Sequence, residues 1–241
     1  MDPRVNVIED RLKNLKNIIA VAGGKGGIGK STIASMLALS LTQAHHKVGL
    51  LDLDFTGAST HTILGFKNFS FPDEDKGIIP PKYHNISYIT MENFVDSHAA
   101  PLRGEDATNA ILELLAITRW DDLDFLIIDM PPGINDTTLD ILRFIKRIQF
   151  CIVTTPSKVT IEVVKKFLEL LKDMNIPLLG VIENITYPTE PIAKNIFQEH
   201  FLGTIPFDPT YEMAIGDVDK LMETSVAKSL INFTQFCHKM C

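Results

Sequence analysis

A nine-residue, glycine-rich segment constrains the fold of this 241-residue chain more than any other feature. It fits the pattern G-x-x-x-x-G-K-[ST] and consists of Gly24, Lys25, Gly26, Gly27, Ile28, Gly29, Lys30, Ser31 and Thr32. Glycines adopt positive φ without a Cβ penalty, so successive backbone N–H groups can close around a polyphosphate. The pattern predicts a phosphate-binding loop with Lys30 on the β- and γ-phosphates and the Ser31 hydroxyl on Mg²⁺.

The segments on either side of this loop have the required character. Residues 17–22 form a short apolar run typical of a strand. Residues 31–41 place Ile33, Leu37 and Leu41 at helical spacing. The start of that helix would point its positive end at a bound anion. The order strand, loop, helix therefore favours a phosphate site over an ordinary glycine-rich turn.

Two carboxylates end the second predicted strand, residues 47–54. Asp52 and Asp54 are two positions apart, so both side chains point to the same side of a strand. Ligands of open α/β folds bind at the carboxyl ends of the strands. We expect Asp54 to position or deprotonate the attacking water and Asp52 to support the Mg²⁺ shell. Residues 55–59 would form a first switch segment; the alternative is a solvated acidic turn.

A third acidic residue ends the apolar run 123–129. A run of this kind is typical of a strand buried on both faces, and Asp129 at its end would reach Mg²⁺, usually through water. Residues 130–133 read Met-Pro-Pro-Gly. Gly133 would let a backbone N–H approach the γ-phosphate, which makes this turn the expected second switch.

The remaining chain alternates between strand and helix patterns. Further strands are predicted at 86–89, 150–155, 176–184 and 201–206, and further helices at 4–16, 107–119, 134–146, 158–174 and 219–241. Residues 65–85 are interpreted as a surface excursion. In helix 158–174 we expect an inward face formed by Val159, Val163, Phe167 and either Leu170 or Leu171. Cys151 is expected in the core.

This alternation predicts an α/β fold with a mainly parallel sheet covered by helices on both faces. The pattern indicates a single domain over residues 1–241, with a lead-in helix within 1–16 and a terminal helix over 219–241. The terminal helix carries few basic residues on its polar face, so packing on the domain is favoured over membrane targeting.

Composition restricts the function classes further. The net charge is −7, and no basic cluster indicates a nucleic-acid surface. No apolar run reaches the length of a membrane span. The first residues lack the apolar core of a signal peptide, and three cysteines are too few for a disulfide scaffold. We therefore expect a cytoplasmic protein that binds neither nucleic acid nor membrane.

Lysine at position 25, directly after the first glycine, departs from an ordinary phosphate-binding loop. With it, the chain resembles the Mrp (ApbC-type) branch of the deviant P-loop ATPases, which also include MinD, ParA and the nitrogenase iron protein. The stretches that carry this resemblance are 24–32, 51–54, 103–104, Trp120 with 123–133, 152–156, 180–184 and 203–209.

The resemblance implies ATP binding and slow hydrolysis by a homodimer with nucleotide at the interface. In that class the equivalent of Lys25 reaches the partner's phosphates, so Lys25, Lys30 and Asp54 would be catalytic. The resemblance places the adenine against Asn184, Pro206, Phe207 and Asp208. The guanine-reading pattern N-K-x-D is absent after Asn184, which favours ATP over GTP.

The family also implies a role in assembling or carrying iron–sulfur clusters, with an apo iron–sulfur client or another protein as partner. Many members have a C-x-x-C shortly after the Glu-Asn position, whereas residues 185–191 contain no cysteine. Because thiolate is the usual cluster ligand, cluster binding at that position is not expected. Cys237 and Cys241, four positions apart, are the remaining candidate ligands.

Two other function classes stay open. One is a MinD- or ParA-like positioning ATPase or scaffold switch acting through a partner. The other is a metabolic ligase of the dethiobiotin- or cobyrinate-synthetase kind, which shares related loops. Lys25 and the Mrp-like C-terminal half favour the switch ATPase over the ligase.

Overall fold

The computed structural model describes residues 2–54, 57–66, 72–91, 105–134, 136–187 and 190–238. Several predicted features fall outside these ranges: the start of the first switch at Phe55, the Arg103–Gly104 pair, and Cys241. The predictions made for them stay predictions.

One large sheet organises the fold. The strands are β1 (Asn17–Gly23), β2 (Val48–Asp52), β3 (Asp73–Glu74), β4 (Ile78–Ile79), β5 (Lys82–Tyr83), β6 (Ile86–Thr90), β7 (Phe125–Asp129), β8 (Ile148–Thr154), β9 (Leu178–Thr186) and β10 (Phe201–Pro206). Eight of them pair in the order β10-β9-β8-β1-β7-β2-β6-β5. All neighbours run parallel except β5 and β6, and β3 and β4 form a separate antiparallel pair. The predicted mainly parallel sheet is confirmed.

Helices cover both faces of this sheet, as predicted. They are α1 (Arg4–Leu12), α2 (Lys30–Gln43), α3 (Thr60–Ile63), α4 (Glu105–Ile117), α5 (Asp136–Phe144), α6 (Lys158–Asp173), α7 (Ile192–Phe197), α8 (Tyr211–Ala214), α9 (Val218–Glu223) and α10 (Ser225–His238). Buried residues of α1, α4, α5, α6 and α7 share one apolar layer. Those of α2, α3, α8, α9 and α10 share the other.

Strand β1 lies between β7 and β8, and all seven of its residues are buried. Its side chains alternate between the two layers: Ile18 and Ala20 belong to one, Ile19 and Val21 to the other. A parallel strand covered on both faces requires such a continuous apolar run. The glycine-rich loop therefore follows a strand that is buried on both faces.

The inward face predicted for α6 is partly wrong. Val159 is 55% exposed, whereas Phe167 is fully buried. Thr160 is buried instead, and its hydroxyl donates to the Thr155 carbonyl at 3.1 Å. A satisfied hydroxyl can enter the core at little cost, so the first turn is rotated relative to the purely apolar pattern. The surface excursion at 65–85 is also more regular than predicted, since it contains β3, β4 and β5.

Replacement of Phe167 by alanine should lower the free energy of unfolding by about 3–5 kcal/mol, because it opens a cavity in the core. Val159→Ala on the same helix should change it by no more than about 0.5 kcal/mol, because that side chain is largely solvated. Urea unfolding followed by circular dichroism measures both. Equal losses for the two variants would contradict the observed rotation of α6.

Candidate functional site

The glycine-rich loop joins β1 to α2 in a conformation that glycine alone adopts readily. Gly27 has φ +74° and Gly29, which precedes the first residue of α2, has φ +88°. A Cβ built on Gly26 or Gly27 would meet no atom within 4 Å, whereas one on Gly29 would collide with the Asn184 amide. The loop is thus open on one side and braced by Asn184 on another, as a phosphate cradle requires.

Lys30 lies across this loop. Its side chain is buried, and Nζ donates to the Lys25 carbonyl at 3.3 Å. Burial lowers the pKa of Lys30, while the negative charges of Asp129 and Asp54 act against that shift. Lys25 itself is exposed. The structure therefore separates the two lysines: one ammonium inside the site, one side chain on the surface.

Asp129 ends β7 next to the loop, and it is paired with Asp52 in the sheet register. It is fully buried, and neither oxygen has a hydrogen bond of normal geometry. Burial, followed by the charge of Asp52, raises the pKa of Asp129 to about 8, while the Ser31 hydroxyl and Lys30 counter part of the rise. A buried carboxylate without partners is costly unless a cation or water approaches it.

Mg²⁺ fits this environment chemically. It takes one or two carboxylates and keeps several waters, and Asp129 beside the Ser31 hydroxyl offers that oxygen set. Within the described ranges there is no group of three or more His, Cys, Asp or Glu side chains arranged to hold a metal by themselves. The residues present thus suit an ion that is bound together with phosphate and water, rather than a closed protein cage.

Asp52 is paired with Asp129 across β2 and β7 in the sheet register. It is also buried, but its oxygens already have partners. Oδ1 accepts the Asp54 N–H at 3.1 Å, and Oδ2 accepts the Thr60 hydroxyl at 2.7 Å and the Thr60 N–H at 3.3 Å. The expected support of a Mg²⁺ shell is therefore not what the geometry at Asp52 favours.

The turn after β7 is tied to the glycine-rich loop. Gly133 has φ +84°, and its N–H donates to the Gly23 carbonyl at 3.2 Å. This N–H was expected to approach a γ-phosphate, and in the structure it holds the second switch against the end of β1 instead. A Cβ on Gly133 would meet nothing within 4 Å, so the space in front of the turn is free.

A cavity of about 460 Å³ extends from the glycine-rich loop to the end of β10. Gly29, Asn184 and residues 206–208 line it, which brings together the residues predicted for the base. The Asn184 amide donates to the Ile28 carbonyl at 2.9 Å. Phe207 is 53% exposed and its ring lies 5.9 Å from that of Tyr187, so the outer end is aromatic.

Asp208 lines this cavity, and four donors hold its carboxylate. Oδ1 accepts from the Thr210 N–H at 2.9 Å and the Thr210 hydroxyl at 2.6 Å, and Oδ2 from the Ser225 N–H at 2.8 Å and hydroxyl at 2.7 Å. These donors hold the pKa of Asp208 well below its usual range. Because Ser225 begins α10, Asp208 caps that helix.

Cys237 was predicted as a weak iron–sulfur ligand, and its position argues against that role. It is fully buried in the layer between α10 and the sheet and forms no disulfide. Cys151 of β8 is also buried and outside any disulfide, and burial, with a smaller contribution from Cys237, raises the pKa of its thiol. Two inward-facing thiols in an apolar layer are core residues; the predicted core position of Cys151 is confirmed.

Local sequence patterns missed the partners that hold the site. Thr60 and Tyr88 lie 28 positions apart, and Ser225 lies 17 positions beyond Asp208. Each residue is unremarkable in its own segment. Tyr88 offered the one signal among them, since it is an aromatic residue with a hydroxyl inside a predicted strand.

The family model described as ParA, NUBPL iron-transfer P-loop NTPase matches residues 14–239. A Rickettsia conorii protein named iron-sulfur cluster carrier protein is 41% identical over 78% of this chain and 59% of its own length. A Drosophila ananassae protein named cytosolic Fe-S cluster assembly factor Nubp2 homolog is 34% identical over 93% of this chain and 96% of its own length. This chain spans about three fifths of the length of the bacterial relatives.

Solved structures agree with the fold. A nucleotide-binding protein from Archaeoglobus fulgidus, in complex with ADP, has 28% identity and a TM-score of 0.75, over 91% of this chain and 93% of that one. MinD from Pyrococcus horikoshii, in complex with Mg-ADP, has 22% identity and a TM-score of 0.71, over 93% and 96%. Among the described residues, no helix is both long and apolar enough to cross a membrane.

Asp208→Asn should destabilise the protein near neutral pH, because it weakens the cap of α10. The lowered pKa means that the aspartate contribution is present above the unfolded-state value of about 3.9 and is lost as the pH falls through the lower folded-state value. The difference in unfolding free energy between wild type and variant should therefore shrink below about pH 4. Urea unfolding at several pH values measures it; a pH-independent difference would refute the charged cap.

Proposed function

The chain belongs to the ParA family of NUBPL-type iron-transfer P-loop NTPases, and from that premise we propose that it is a magnesium-dependent ATPase working as a nucleotide-switched homodimer in iron–sulfur cluster handling. One observation carries the ATPase proposal. The open loop and the buried Lys30 follow β1, and Asp129 ends the neighbouring strand β7 with no hydrogen bond of normal geometry on its carboxylate. A nucleotide–metal complex would bring phosphates to the buried ammonium and a cation to this carboxylate.

In this proposal the loop binds the phosphates of ATP through its N–H groups, and Lys30 contacts the β- and γ-phosphates. A buried ammonium stabilises negative charge more strongly than a solvated one, because the local dielectric is low. The cavity beyond Gly29 would take the nucleoside, with its base near Asn184 and the backbone of residues 206–208. The absence of a guanine-reading motif supports ATP as substrate.

Asp54 is the proposed residue for water activation. It follows β2 directly, is partly buried, and its charge reaches Lys30. A carboxylate within hydrogen-bond reach of water can orient it for in-line attack and accept its proton. Asp129 and the Ser31 hydroxyl would hold Mg²⁺, which when bound neutralises charge on the phosphates.

The proposed dimer rests on Lys25. Its side chain is exposed beside the loop, on the same edge as the phosphate site. From there an ammonium could reach a polyphosphate held by a second copy of the chain. Nucleotide would then lie at the interface, so that its γ-phosphate favours one arrangement of the dimer over another.

The iron–sulfur part of the proposal is supported by the names of the relatives. Those names do not support the doubt about cluster binding that the missing C-x-x-C raised. The cluster would be cargo, with an apo iron–sulfur protein as client. The word cytosolic in one relative's name supports the proposed cytoplasmic location. The described thiols, Cys151 and Cys237, are too deeply buried to serve as ligands in this conformation.

Lys30→Ala should abolish ATP hydrolysis and weaken nucleotide binding at least tenfold, since it removes the buried counter-charge. Asp54→Ala should reduce kcat by a factor of roughly 10²–10⁴ while ATP binding is retained, because it removes only the group that handles water. Phosphate release and calorimetric titration separate the two effects. Lys13→Ala, an exposed lysine on the far side of the fold, is the control. Unchanged hydrolysis in both site variants would sink the ATPase proposal.

Cys237→Ala should leave the iron and acid-labile sulfide content of anaerobically reconstituted protein unchanged, because the wild-type thiol faces the core. The matched variant Cys151→Ala should behave in the same way. Colorimetric iron and sulfide assays on folded protein measure the content. Loss of a stoichiometric cluster in Cys237→Ala alone would mean that α10 opens to expose a ligand.

A further inference from the structure

One carboxylate holds both ends of the segment from Asp54 to Thr60, which we name the anchor segment. Asp52 Oδ1 accepts the N–H of Asp54, the first residue of the segment, at 3.1 Å. Asp52 Oδ2 accepts the hydroxyl of Thr60, its last residue, at 2.7 Å and the Thr60 N–H at 3.3 Å. Asp52 and Thr60 are fully buried. Both ends of the segment are thus fixed to the last residue of β2.

The hydrogen bonds in this group have a defined direction. Three donors converge on the Asp52 carboxylate, and the Thr60 hydroxyl is one of them. The single hydroxyl proton of Thr60 therefore goes to Asp52. Tyr88 Oη lies 3.0 Å from Thr60 Oγ1, and it must donate its own proton to that oxygen. The result is a buried chain from Tyr88 through Thr60 to Asp52, in which each bond polarises the next.

This chain of hydrogen bonds connects two strands and a helix of the fold. Tyr88 sits in β6, which pairs with β2 in parallel, and it is opposite Leu50 in the register. Its ring packs edge-on against Phe66 at 5.0 Å, and Phe66 stacks on Tyr83 at 4.7 Å. Thr60 is also the first residue of α3. The hydroxyl of Thr60 therefore joins the start of a helix to the neighbouring strands β2 and β6.

We propose that Thr60 is a positioning residue of the ATPase site, and that Tyr88 and Asp52 act with it to hold Asp54 in place. In this assignment Asp52 anchors the backbone and does not ligate the metal. What the positioned Asp54 does rests on the proposed function. The anchoring itself does not depend on the proposed function, because it involves only residues of this protein.

The number of hydrogen bonds that each carboxylate already accepts supports an anchoring role for Asp52 and a metal-binding role for Asp129. Oδ2 of Asp52 already accepts two hydrogen bonds and Oδ1 one, whereas both oxygens of the neighbouring Asp129 lack any of normal geometry. A cation placed between the two carboxylates would gain more from Asp129. If it drew on Asp52 it would compete with three existing donors.

Thr60→Val tests the proposal, because valine keeps the branched shape and removes the hydroxyl. In nucleotide-free protein, amide hydrogen exchange in the peptide that carries the anchor segment should become roughly tenfold faster, since two buried hydrogen bonds are lost. In the ATPase assay kcat should fall about tenfold or more, with the Kd for ADP and the Mg²⁺ concentration for half-maximal activity unchanged. Thr60→Ser, which keeps a hydroxyl, should restore both readouts.

Thr118→Val is the matched control. Thr118 is equally buried, and its hydroxyl donates to the Leu114 carbonyl at 2.6 Å, away from the site. This variant should leave exchange in the anchor segment and kcat as in the wild type. It separates the proposed effect from the general cost of burying valine in place of threonine.

Each of the following results would contradict one part of the proposal. Unchanged exchange in Thr60→Val would refute the anchoring, whether or not the protein hydrolyses ATP. Faster exchange with unchanged kcat would refute the positioning of Asp54. A severalfold rise in the Mg²⁺ requirement would place Asp52 in the metal shell. If the wild-type protein had no ATPase activity, the proposed function would be refuted. The exchange measurement would still test the anchoring.

Discussion

The burial of two neighbouring carboxylates at the end of β2 and β7 is the constraint on which the rest of the site depends. Asp52 and Asp129 are adjacent in the register and fully buried. Burial raises the pKa of both carboxyls, and the charge of Asp52 adds to the rise at Asp129. The two positions differ in their hydrogen bonds. Three donors contact the Asp52 carboxylate, whereas no hydrogen bond of normal geometry reaches the Asp129 carboxylate. That asymmetry separates an anchor from a position that a cation can complete.

The apolar layers make this arrangement possible. A parallel sheet covered on both faces keeps water away from the strand ends, so that the same low dielectric penalises Asp129 and strengthens every donor at Asp52. Trp120, Phe125 and Phe150 belong to those layers and are buried almost completely. The core thereby determines how strongly the charges and donors of the site act on each other.

How much of this could be read from the sequence depends on the range of each interaction. The strand-loop-helix order, β7 and the mainly parallel sheet follow from local patterns, and these fold predictions are confirmed. The contact of Thr60 with Tyr88 and that of Asp208 with Ser225 join segments whose spacing carries no local signal. At α6 the apolar period was misleading because a hydrogen-bonded threonine took an inward position. Cys237 faces the apolar layer between α10 and the sheet, which is incompatible with an exposed metal ligand.

Hydrogen bonds fix residues on either side of the first expected switch segment and the last residue of the second. The Gly133 N–H is bound to the Gly23 carbonyl, and the Leu53 N–H to the Asp129 carbonyl. The anchor segment hangs from Asp52 on the neighbouring strand. A phosphate that drew the Gly133 N–H away from Gly23 would have to replace an existing hydrogen bond. The free energy of switching would then be a difference between two hydrogen-bonded states. A ligand shifts such an equilibrium only by the difference in its affinity for the two states.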